Sequence, residues 1–281
     1  MLSLAMLSRA LRKLHSYRAR DPVPEELRGW SWHQPPLKPR AFLGLGVSEV
    51  AYRFCPTRRD LWLRRVEGVQ PEPNGAMKRG SALHTVFHLT AKEVARAVVL
   101  GNTPWDAYER AASRCRKIVV EALGSFDPWL CSVCKEMAFG WASLANELGH
   151  PPALTEVLVD GSLLGLSKNL RVDAIMDGSV VVELKYGSLR NDYVAALAGY
   201  AMALESFLEI PIDFGLIILV NGWERRRIRV EAVYLGAEAR QSFIEARDEA
   251  IDILLSGSPP PPAPSCPPSC PFKPYCRGGS G

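Results

Sequence analysis

The sequence has little excess charge, no long apolar run and no internal repeat. Its 281 residues carry a formal net charge of +4, which permits contact with nucleic acid but is too weak to indicate it alone. The longest apolar runs, such as residues 216–220, are far too short to span a bilayer. A content of 47% apolar and 23% charged residues is ordinary for a globular chain and argues against disorder. We therefore expect a soluble, cytoplasmic protein with no membrane partner.

The sequence lacks a secretory signal, although it has seven cysteines. Disulfide frameworks belong mainly to exported proteins, so this usage indicates metal or cluster ligation instead.

The first 150 residues divide into two predicted parts. Residues 1–40 form a basic N-terminal extension, whose first 20 residues hold five basic side chains and no acidic one. This composition indicates a basic surface helix and also fits an organellar transit peptide. Prolines within residues 35–39 predict an extended link to the body. Residues 41–150 form a helical region with Cys55 and His84, and its main helices are predicted near residues 78–97, 104–122 and 127–148.

The remaining residues divide into an α/β core over residues 151–256 and a cysteine tail over residues 257–281. Asp-Gly turn signals separate three apolar segments, which predict a three-stranded meander at residues 157–159, 170–176 and 180–185. We then predict a helix near 191–208, strands at 214–220 and 224–235, and a helix near 237–255. The tail holds nine prolines within residues 259–274 and three of the cysteines.

One strand of the meander carries two charges two residues apart. The strand period places Glu183 and Lys185 on one face, with Val182 and Leu184 on the other. Burying this pair without compensation is costly, so a further partner is expected. Asp173 and Glu183 together suit Mg²⁺ or Mn²⁺, with Lys185 beside them to orient or deprotonate a water or to offset phosphate charge. The alternative is a surface ion pair between strands.

The loop between the second and third strands decides whether these carboxylates meet. With a two-residue loop at Asp177 and Gly178, Asp173 would pair with Val182 and point away from Glu183. Convergence needs a three-residue loop, 177–179, or a bulge in the strand. We predict one of these two arrangements.

His84 is the third candidate metal ligand. It ends the Gly-x3-His segment that starts at Gly80, near the beginning of a helix, and imidazole is a neutral ligand for metals. A hydrogen-bonded core histidine is the alternative. Glu156, on the first strand, is a further candidate ligand, whereas His88, one turn after His84, is expected to be structural.

Three cysteines lie close together in the tail: Cys266, Cys270 and Cys276. Thiolates clustered where proline prevents regular structure indicate a soft metal or an iron–sulfur cluster. Cys55, which precedes Pro56, is the candidate fourth ligand and would join the tail to the N-terminal helices.

A second cysteine pair competes for that role. The spacing of Cys131-x2-Cys134 suits zinc, but the pair lies within a predicted continuous helix. Buried thiols or a redox pair are the alternatives there, and Cys115 is expected to be a core residue of its own helix.

Taken together, these motifs resemble the CRISPR-associated RecB-like nucleases. The order is that of the family: Cys55, the Gly-x3-His motif ending at His84, Asp173, the Glu183-x-Lys185 pair, a helix with Tyr200, and the cysteine trio. The segment from Phe54 to Asp60 and the long leader are similar to the archaeal type I-A branch. The resemblance covers roughly residues 43–276.

The resemblance implies a fold, an activity and a set of ligands. The fold is α/β with a PD-(D/E)xK, restriction-endonuclease-like core, and the activity is metal-dependent trimming of single-stranded DNA or overhangs during CRISPR spacer acquisition, together with Cas integrase proteins. The implied metal ligands are His84, Asp173 and Glu183, and the implied catalytic residues are Lys185, Asp173, Glu183 and Tyr200. An iron–sulfur cluster, 4Fe-4S more often than 2Fe-2S, would be held by Cys55, Cys266, Cys270 and Cys276.

One position departs from the family pattern. The glutamine expected four residues before Tyr200 is Ala196, and Tyr193 or Asn191 would have to take its place. This departure motivates an alternative function, a catalytically weak or inactive iron–sulfur adaptor that binds DNA ends in the Cas integrase complex. A zinc-stapled structural protein is a third hypothesis.

Basic residues near aromatic ones are candidate DNA contacts, because bases stack on aromatic rings while arginine and lysine bind phosphates. Thr57 is the expected cap of the helix that carries the first group. The groups are Arg58, Arg59, Arg64 and Arg65; Lys78 and Arg79; and Arg225, Arg226, Arg227 and Arg229, with Trp62, Tyr186 and Trp223 as the aromatic residues. A solvated charged surface is the alternative for each group.

Overall fold

The computed structural model describes residues 4–222 and 227–277, which contain nine α-helices and five strands. The helices are α1 (Leu4–Arg20), α2 (Val47–Ala51), α3 (Arg59–Arg65), α4 (Gly75–Val99), α5 (Pro104–Leu123), α6 (Pro128–Leu148), α7 (Asn191–Leu208), α8 (Ala237–Leu255) and α9 (Lys273–Arg277). The strands are β1 (Ala153–Val159), β2 (Leu170–Met176), β3 (Val180–Tyr186), β4 (Phe214–Val220) and β5 (Ile228–Tyr234). Among these residues, no helix is both long and apolar enough to cross a membrane.

Local capping explains where the three long helices α4, α5 and α6 begin. The side chains of Asn74, Thr103 and Asp127 each accept a hydrogen bond from a backbone N–H of the first turn. Gly124 and Gly149 end α5 and α6 in the left-handed conformation that glycine adopts at low cost. The predicted helices at these positions are confirmed.

The strands form one mixed sheet in the order β1-β2-β3-β4-β5. The first three strands make the predicted antiparallel meander, and β4 lies parallel to β3 because α7 crosses over between them. β5 returns antiparallel at the edge of the sheet. The predicted α/β class is therefore confirmed as a mixed α/β fold.

The sheet separates two buried cores, and β3 contributes to both. Val180, Val182 and Leu184 pack on the face covered by α4, α5 and α6. Val181 packs on the opposite face, with α7 and α8. Since side chains alternate along a strand, Glu183 and Lys185 project toward the α7 side.

The segment before α2 belongs to the core on the α7 side. Leu27, Leu37 and Leu45 are buried there. The extended link predicted for residues 35–39 is wrong, because these residues form turns. Two features explain the difference. The Leu37 side chain is buried in the core, and the guanidinium of Arg247 donates a hydrogen bond to the Leu37 carbonyl at 2.6 Å.

A buried ionic network fixes the same segment to α7 and α8. Arg240 binds both carboxylate oxygens of Glu205, at 2.6 and 2.8 Å. Arg28 donates to Glu205 at 3.0 Å and to Asp213 at 2.5 Å. Backbone N–H groups of Gly29 and Ile212 complete the set around Glu205, at 2.8 and 2.9 Å. Each oxygen of this carboxylate is thus satisfied, as a buried charge requires.

One expectation about local structure in the helical region is wrong, and one cysteine contact was not predicted. Arg58, with φ of 59°, takes the N-cap position of α3 that we predicted for Thr57. Cys115 on α5 and Cys134 on α6 form a disulfide, with their Cα atoms 5.7 Å apart. Cys115 is a core residue, as expected, and Cys134 bonds it rather than Cys131 because α5 and α6 pack together and both cysteines face the shared core, whereas Cys131 is only partly buried.

Candidate active site

The loop between β2 and β3 has three residues, as predicted. Met176 pairs with Val180, which leaves residues 177–179 as the connection. Asp177 and Gly178 have φ of 49° and 69°, the positive values that mirror-image hairpin turns require. The three-residue alternative is therefore confirmed, and the strand register follows from it.

Continuing this register by one residue beyond the pair of Ala174 and Val182 sets Asp173 across from Glu183. The Asp173 carboxylate also makes two contacts of its own. Its Oδ1 atom lies 2.7 Å from Nδ1 of His84, and its Oδ2 atom accepts a hydrogen bond of 2.7 Å from the backbone N–H of Leu184. His84, Asp173 and Glu183, predicted as metal ligands from three separate parts of the chain, thus lie together beside the sheet.

β1 is distorted next to the same carboxylate. Glu156 lies across from Asp173 in the register of β1 and β2, and its φ of 56° is uncommon for a residue other than glycine. Its carboxylate bonds the exposed guanidinium of Arg171 at 2.8 Å. The structure therefore pairs this further candidate ligand with a surface arginine.

The two carboxylate oxygens of Glu183 have different surroundings. Oε1 accepts a 2.7 Å hydrogen bond from the hydroxyl of Tyr52 and contacts the ammonium of Lys185. Oε2 is buried and has no hydrogen-bond partner among the described residues. A buried acceptor left in this state costs about 1–3 kcal/mol. Oε2 is thus the atom at which a cation would be most strongly favoured.

Burial and mutual charge shift the protonation equilibria of the group. Burial raises the pKa of Glu183 above its ordinary value, despite the opposing charge of Lys185. Burial opposes the charged forms of Lys185 and His84, but nearby carboxylates outweigh it, and the pKa of each is raised. For Lys185 the main carboxylate is Glu183, and for His84 it is Asp173. The two carboxylates thus create a local field that favours positive charge.

α7 places two tyrosines near this group. The ring of Tyr193 lies 5.6 Å from Nζ of Lys185. The pKa of Tyr200 is raised well above its ordinary value by burial and by the charges of Glu183 and Asp173, so the tyrosine lies near both carboxylates. Ala196 is fully buried in the core. That position therefore supplies no polar group, while Tyr193, one turn earlier, contacts the lysine.

The predicted ligands are chemically suited to a hard divalent cation, since they comprise two carboxylates and an imidazole. In the structure they bind one another or their neighbours, His84 with Asp173 and Glu183 with Tyr52. Residues 4–222 and 227–277 accordingly contain no group of three or more His, Cys, Asp or Glu side chains spaced to hold a metal ion. His84, Asp173 and Glu183 are the residues that would hold a cation, and Oε2 of Glu183 is the oxygen among them that has no hydrogen-bond partner within the described residues.

The cysteine tail returns to α3. Arg59 donates to the carbonyl of Pro260 at 2.5 Å, and the guanidinium of Arg64 lies 5.4 Å from the centre of the Phe272 ring. Further along, the Asn74 side chain donates to a tail carbonyl at 2.9 Å. These contacts fasten the tail to the helical region, as the predicted cysteine set requires.

Three of the four predicted thiol ligands interact there. Burial raises the pKa of Cys276, the charge of Arg59 opposes the rise, and the thiols of Cys266 and Cys55 add to it. Cys270 lies on the same tail, and its backbone N–H bonds a carbonyl three residues earlier at 3.0 Å. All four are free cysteines. Their chemistry suits an iron–sulfur cluster or zinc.

Members of the first basic group predicted to contact DNA also make contacts within the protein. Arg58 is buried and donates to the carbonyls of Glu49 and Val50, at 2.5 and 3.0 Å. Arg65 pairs with Glu49 at 2.6 Å, and Trp62 is buried. α3 packs against α8 and the tail, which buries Trp62, whereas Arg64 and Arg65 remain exposed.

The other two groups have different outcomes. Lys78 and Arg79 are exposed in the first turns of α4, the helix that carries His84. Arg227 lies 3.5 Å from Glu136, and Arg229 pairs with its neighbour Glu231. Trp223, Arg225 and Arg226 lie outside the described residues, as does the predicted start of the last strand.

Our sequence reasoning missed Tyr52 and Phe54. The Tyr52 hydroxyl bonds Glu183 across a separation of 131 residues. Phe54 is 64% exposed, its ring lies 5.7 Å from that of Tyr52, and the guanidinium of Arg190 lies 5.1 Å from its centre. The available signal was their position just before Cys55, but nothing in the local pattern indicated contact with β3.

Fold and site together define a mixed α/β protein with a carboxylate–lysine centre on its sheet and a cysteine-bearing tail. A family model described as CRISPR-associated exonuclease Csa1 matches residues 1–279. A protein of that description from Thermoproteus tenax is 37% identical over 285 residues, which cover 99% of this chain and 100% of that protein. Another, from Saccharolobus solfataricus, is 30% identical over 294 residues, which cover 98% and 97% of the two chains.

This chain belongs to the family of CRISPR-associated exonucleases named Csa1. The resemblance to CRISPR-associated nucleases is thus confirmed, and with it the enzyme class, a nuclease.

Proposed function

We propose that the protein is a divalent-metal-dependent DNA exonuclease that trims single-stranded DNA or overhangs in the cytoplasm during CRISPR spacer acquisition. One observation carries this proposal: the three-residue loop sets Asp173 across from Glu183, with Lys185 on the same face and Oε2 of Glu183 without a partner. The family's description as an exonuclease supports it. Cas integrase proteins are the proposed partners, because spacer ends must be prepared for integration.

The proposed fold is a PD-(D/E)xK core of the RecB-like type. Its support is the antiparallel meander β1–β3, the α7 crossover and the parallel strand β4. In this arrangement the two carboxylates lie on neighbouring strands and the lysine follows the second carboxylate by two residues. This order of elements matches the order of motifs expected for such a core.

Each residue of the centre has a proposed role. His84, Asp173 and Glu183 would hold Mg²⁺ or Mn²⁺, which when bound supplies Lewis-acid stabilisation of charge on the scissile phosphate. Lys185 lies between Glu183 and the rings of Tyr52 and Tyr193, and these contacts hold its ammonium in one position. From there it orients the attacking water or offsets the negative charge that builds on the phosphate. Tyr200, near both carboxylates, would complete the polar boundary of the site.

The test of the nuclease proposal is digestion of end-labelled single-stranded DNA with Mn²⁺. Lys185→Ala is expected to lower the rate by on the order of 10²–10⁴, because it removes a charged group from the reacting centre. Lys168→Ala is the matched control, since Lys168 is exposed in the loop before β2. Equal rates for wild type and Lys185→Ala would show that Lys185 does not serve the reaction.

For the tail we propose an iron–sulfur cluster, 4Fe-4S rather than 2Fe-2S, held by Cys55, Cys266, Cys270 and Cys276. Its support is the electrostatic interaction of Cys276 with Cys266 and Cys55, and the fastening of the tail to α3. A protein purified without oxygen should absorb in the visible range. A colourless, zinc-loaded preparation would favour the zinc-stapled alternative instead.

Single-stranded DNA is the proposed substrate because an aromatic ring is exposed beside the site. One face of Phe54 is covered by Arg190, and the ring adjoins Tyr52, which contacts Glu183. A base can stack on the free face while the arginine adds positive charge. Lys78 and Arg79, exposed on α4, supply further phosphate contacts.

Phe54→Ala should therefore weaken binding of a labelled oligonucleotide, measured by fluorescence anisotropy, by roughly ten- to hundredfold. The control is Phe207→Ala, which is also exposed but lies at the far end of α7, roughly 25 Å from Arg190 by helical rise. An equal effect of both substitutions would contradict stacking at Phe54.

One observation favours a second candidate function, an iron–sulfur adaptor that binds DNA ends without cutting them. Ala196 is buried where the family pattern has glutamine, so the site lacks that amide. Under this alternative, wild type and Lys185→Ala digest nothing, while both bind the oligonucleotide equally well. The two assays above therefore separate the adaptor from the enzyme.

A further inference from the structure

Tyr52 contacts both charged residues of the candidate centre. Its hydroxyl donates to Oε1 of Glu183 at 2.7 Å, and its ring centre lies 5.0 Å from Nζ of Lys185. The ring of Tyr193 lies edge-on at 5.7 Å and closes the other side. Because both the hydroxyl of Tyr52 and the ammonium of Lys185 engage Oε1, the opposite oxygen, Oε2, is left bare. Tyr52 thereby decides which way the carboxylate faces.

Tyr52 is also three residues from Cys55, and the intervening chain is held firmly. The backbone N–H of Arg58 bonds the carbonyl of Cys55 at 3.0 Å. The buried guanidinium of Arg58 then reaches back to the carbonyl of Val50 at 3.0 Å, so the end of α2 and the cysteine turn form one braced unit. Phe54 adds a ring contact with Tyr52 inside this unit. A displacement of Cys55 would therefore move Tyr52.

We propose that Tyr52 is a positioning residue that transmits the state of the four-cysteine framework to the nuclease centre. When Cys55 is anchored together with the tail cysteines, Tyr52 holds Glu183 and Lys185 in place, and Oε2 is presented to the cation. When the framework opens, the brace loosens and the cation site loses its preformed geometry. This inference rests on the proposed function, since it takes the cysteine framework and the cation site from there.

The test is a double-mutant cycle on the full chain, purified without oxygen, with Mn²⁺ binding as the readout. Free Mn²⁺ is measured by electron paramagnetic resonance during titration, so no DNA cleavage is needed. Tyr52→Phe keeps the ring and removes only the hydroxyl, and it should weaken Mn²⁺ binding by on the order of tenfold, because a hydrogen bond to a charged group is lost. Its visible spectrum should remain that of wild type. Tyr17→Phe, at an exposed tyrosine of α1, is the matched control and should bind like wild type.

The second arm opens the framework at a distance from the centre. Cys276→Ser should alter the visible spectrum and weaken Mn²⁺ binding in the wild-type background. In the Tyr52→Phe background it should add little, because the link is already broken, and this non-additivity is the signature of coupling. Phe54→Leu, at an exposed position, offers a separate route and should likewise reduce the effect of Cys276→Ser, so the test stands even if Tyr52→Phe folds poorly.

Two outcomes overturn the inference: Cys276→Ser weakening Mn²⁺ binding equally in every background, or in none. Both are distinguishable from failure of the proposed nuclease. A wild-type protein that binds Mn²⁺ but cuts no DNA would contradict the enzyme and leave the coupling measurable. A wild-type protein that binds no Mn²⁺ would overturn both.

Discussion

The buried carboxylates of Glu205 and Glu183 differ in how completely their oxygens are hydrogen-bonded. Glu205 is fully buried, and two arginines and two backbone N–H groups satisfy its oxygens. Glu183 is just as enclosed, yet one of its oxygens has no hydrogen-bond partner among the described residues. A carboxylate completed by protein donors has no capacity left for a ligand, whereas one with a bare oxygen has. The first is therefore structural and the second is suited to bind a cation.

We expect Glu205→Gln to lower the free energy of unfolding by about 3–5 kcal/mol, because the buried guanidinium groups of Arg28 and Arg240 are then left to share the single carboxylate of Asp213. Urea denaturation followed by circular dichroism measures the change. Glu121→Gln, at an exposed position of α5, should change stability by less than about 0.5 kcal/mol. A loss in Glu205→Gln as small as that of the control would contradict the structural role.

The sequence predicted some residues of the centre and missed others for a physical reason. Asp173, Glu183 and Lys185 could be found because strand alternation and turn signals are local, so their meeting depends on one loop. Tyr52 reaches Glu183 only through the packing of α2 against α7, which no local pattern encodes. Burial of Arg58 was missed for the same reason, since it depends on the carbonyls of an adjacent helix end.

At the scale of elements, the three-residue loop is the feature on which the centre depends. Ser179 is the extra residue, since its backbone N–H closes the turn to Met176 at 3.3 Å and pairing resumes at the next position. A shift of one residue sends every side chain of a strand to the opposite face. The length of this hairpin loop therefore determines which side chains of β2 and β3 share a face, and with it whether Asp173 and Glu183 meet.

Deletion of Ser179 should convert the loop to two residues and move Asp173 across from Val182. We expect loss of Mn²⁺ binding and of DNA digestion, with circular dichroism still showing a folded α/β protein. Ser179→Ala keeps the loop length and should behave like wild type. Retained Mn²⁺ binding after the deletion would show that the register does not control the centre.

Whole elements were predicted where start and stop signals are strong. The helices α4, α5 and α6 carry capping residues at their beginnings, and their positions agree with the sequence pattern to within a few residues. The extended link predicted at residues 35–39 was wrong. Proline content disfavours regular helix and strand, but it does not show which part of the core a segment packs against. Only the buried position of Leu37 decides that, and it depends on α8.

At the scale of the whole molecule, the tail closes the structure by covering α3. Ala263 and Phe272 are buried although they lie among prolines and exposed residues. Burying a phenylalanine contributes about 1.5–3 kcal/mol, which is a large share of the stability of most domains. The tail thus stabilises the helical region in addition to bringing Cys276 within electrostatic range of Cys55.

A chain that ends at Gly257 should have a lower melting temperature than the full chain and no visible absorbance after purification without oxygen. A chain that ends at Arg277 keeps all the tail cysteines and serves as the control. Differential scanning fluorimetry and an absorption spectrum give both readouts. Full visible absorbance in the shorter chain would contradict the proposed ligands in the tail.

The ionic network around Glu205 joins residues that are far apart in the chain, so its contacts can form only late in synthesis. Arg28 leaves the ribosome long before its partner Glu205, 177 residues later, has been made. The partner of the Leu27 carbonyl, Arg240, is made later still. Tyr52 likewise waits for Glu183. Contacts between distant parts of a chain form late, and domains fold as units once their parts are present. A partly translated chain therefore lacks the assembled centre, and a ribosome-bound fragment is not expected to attack DNA.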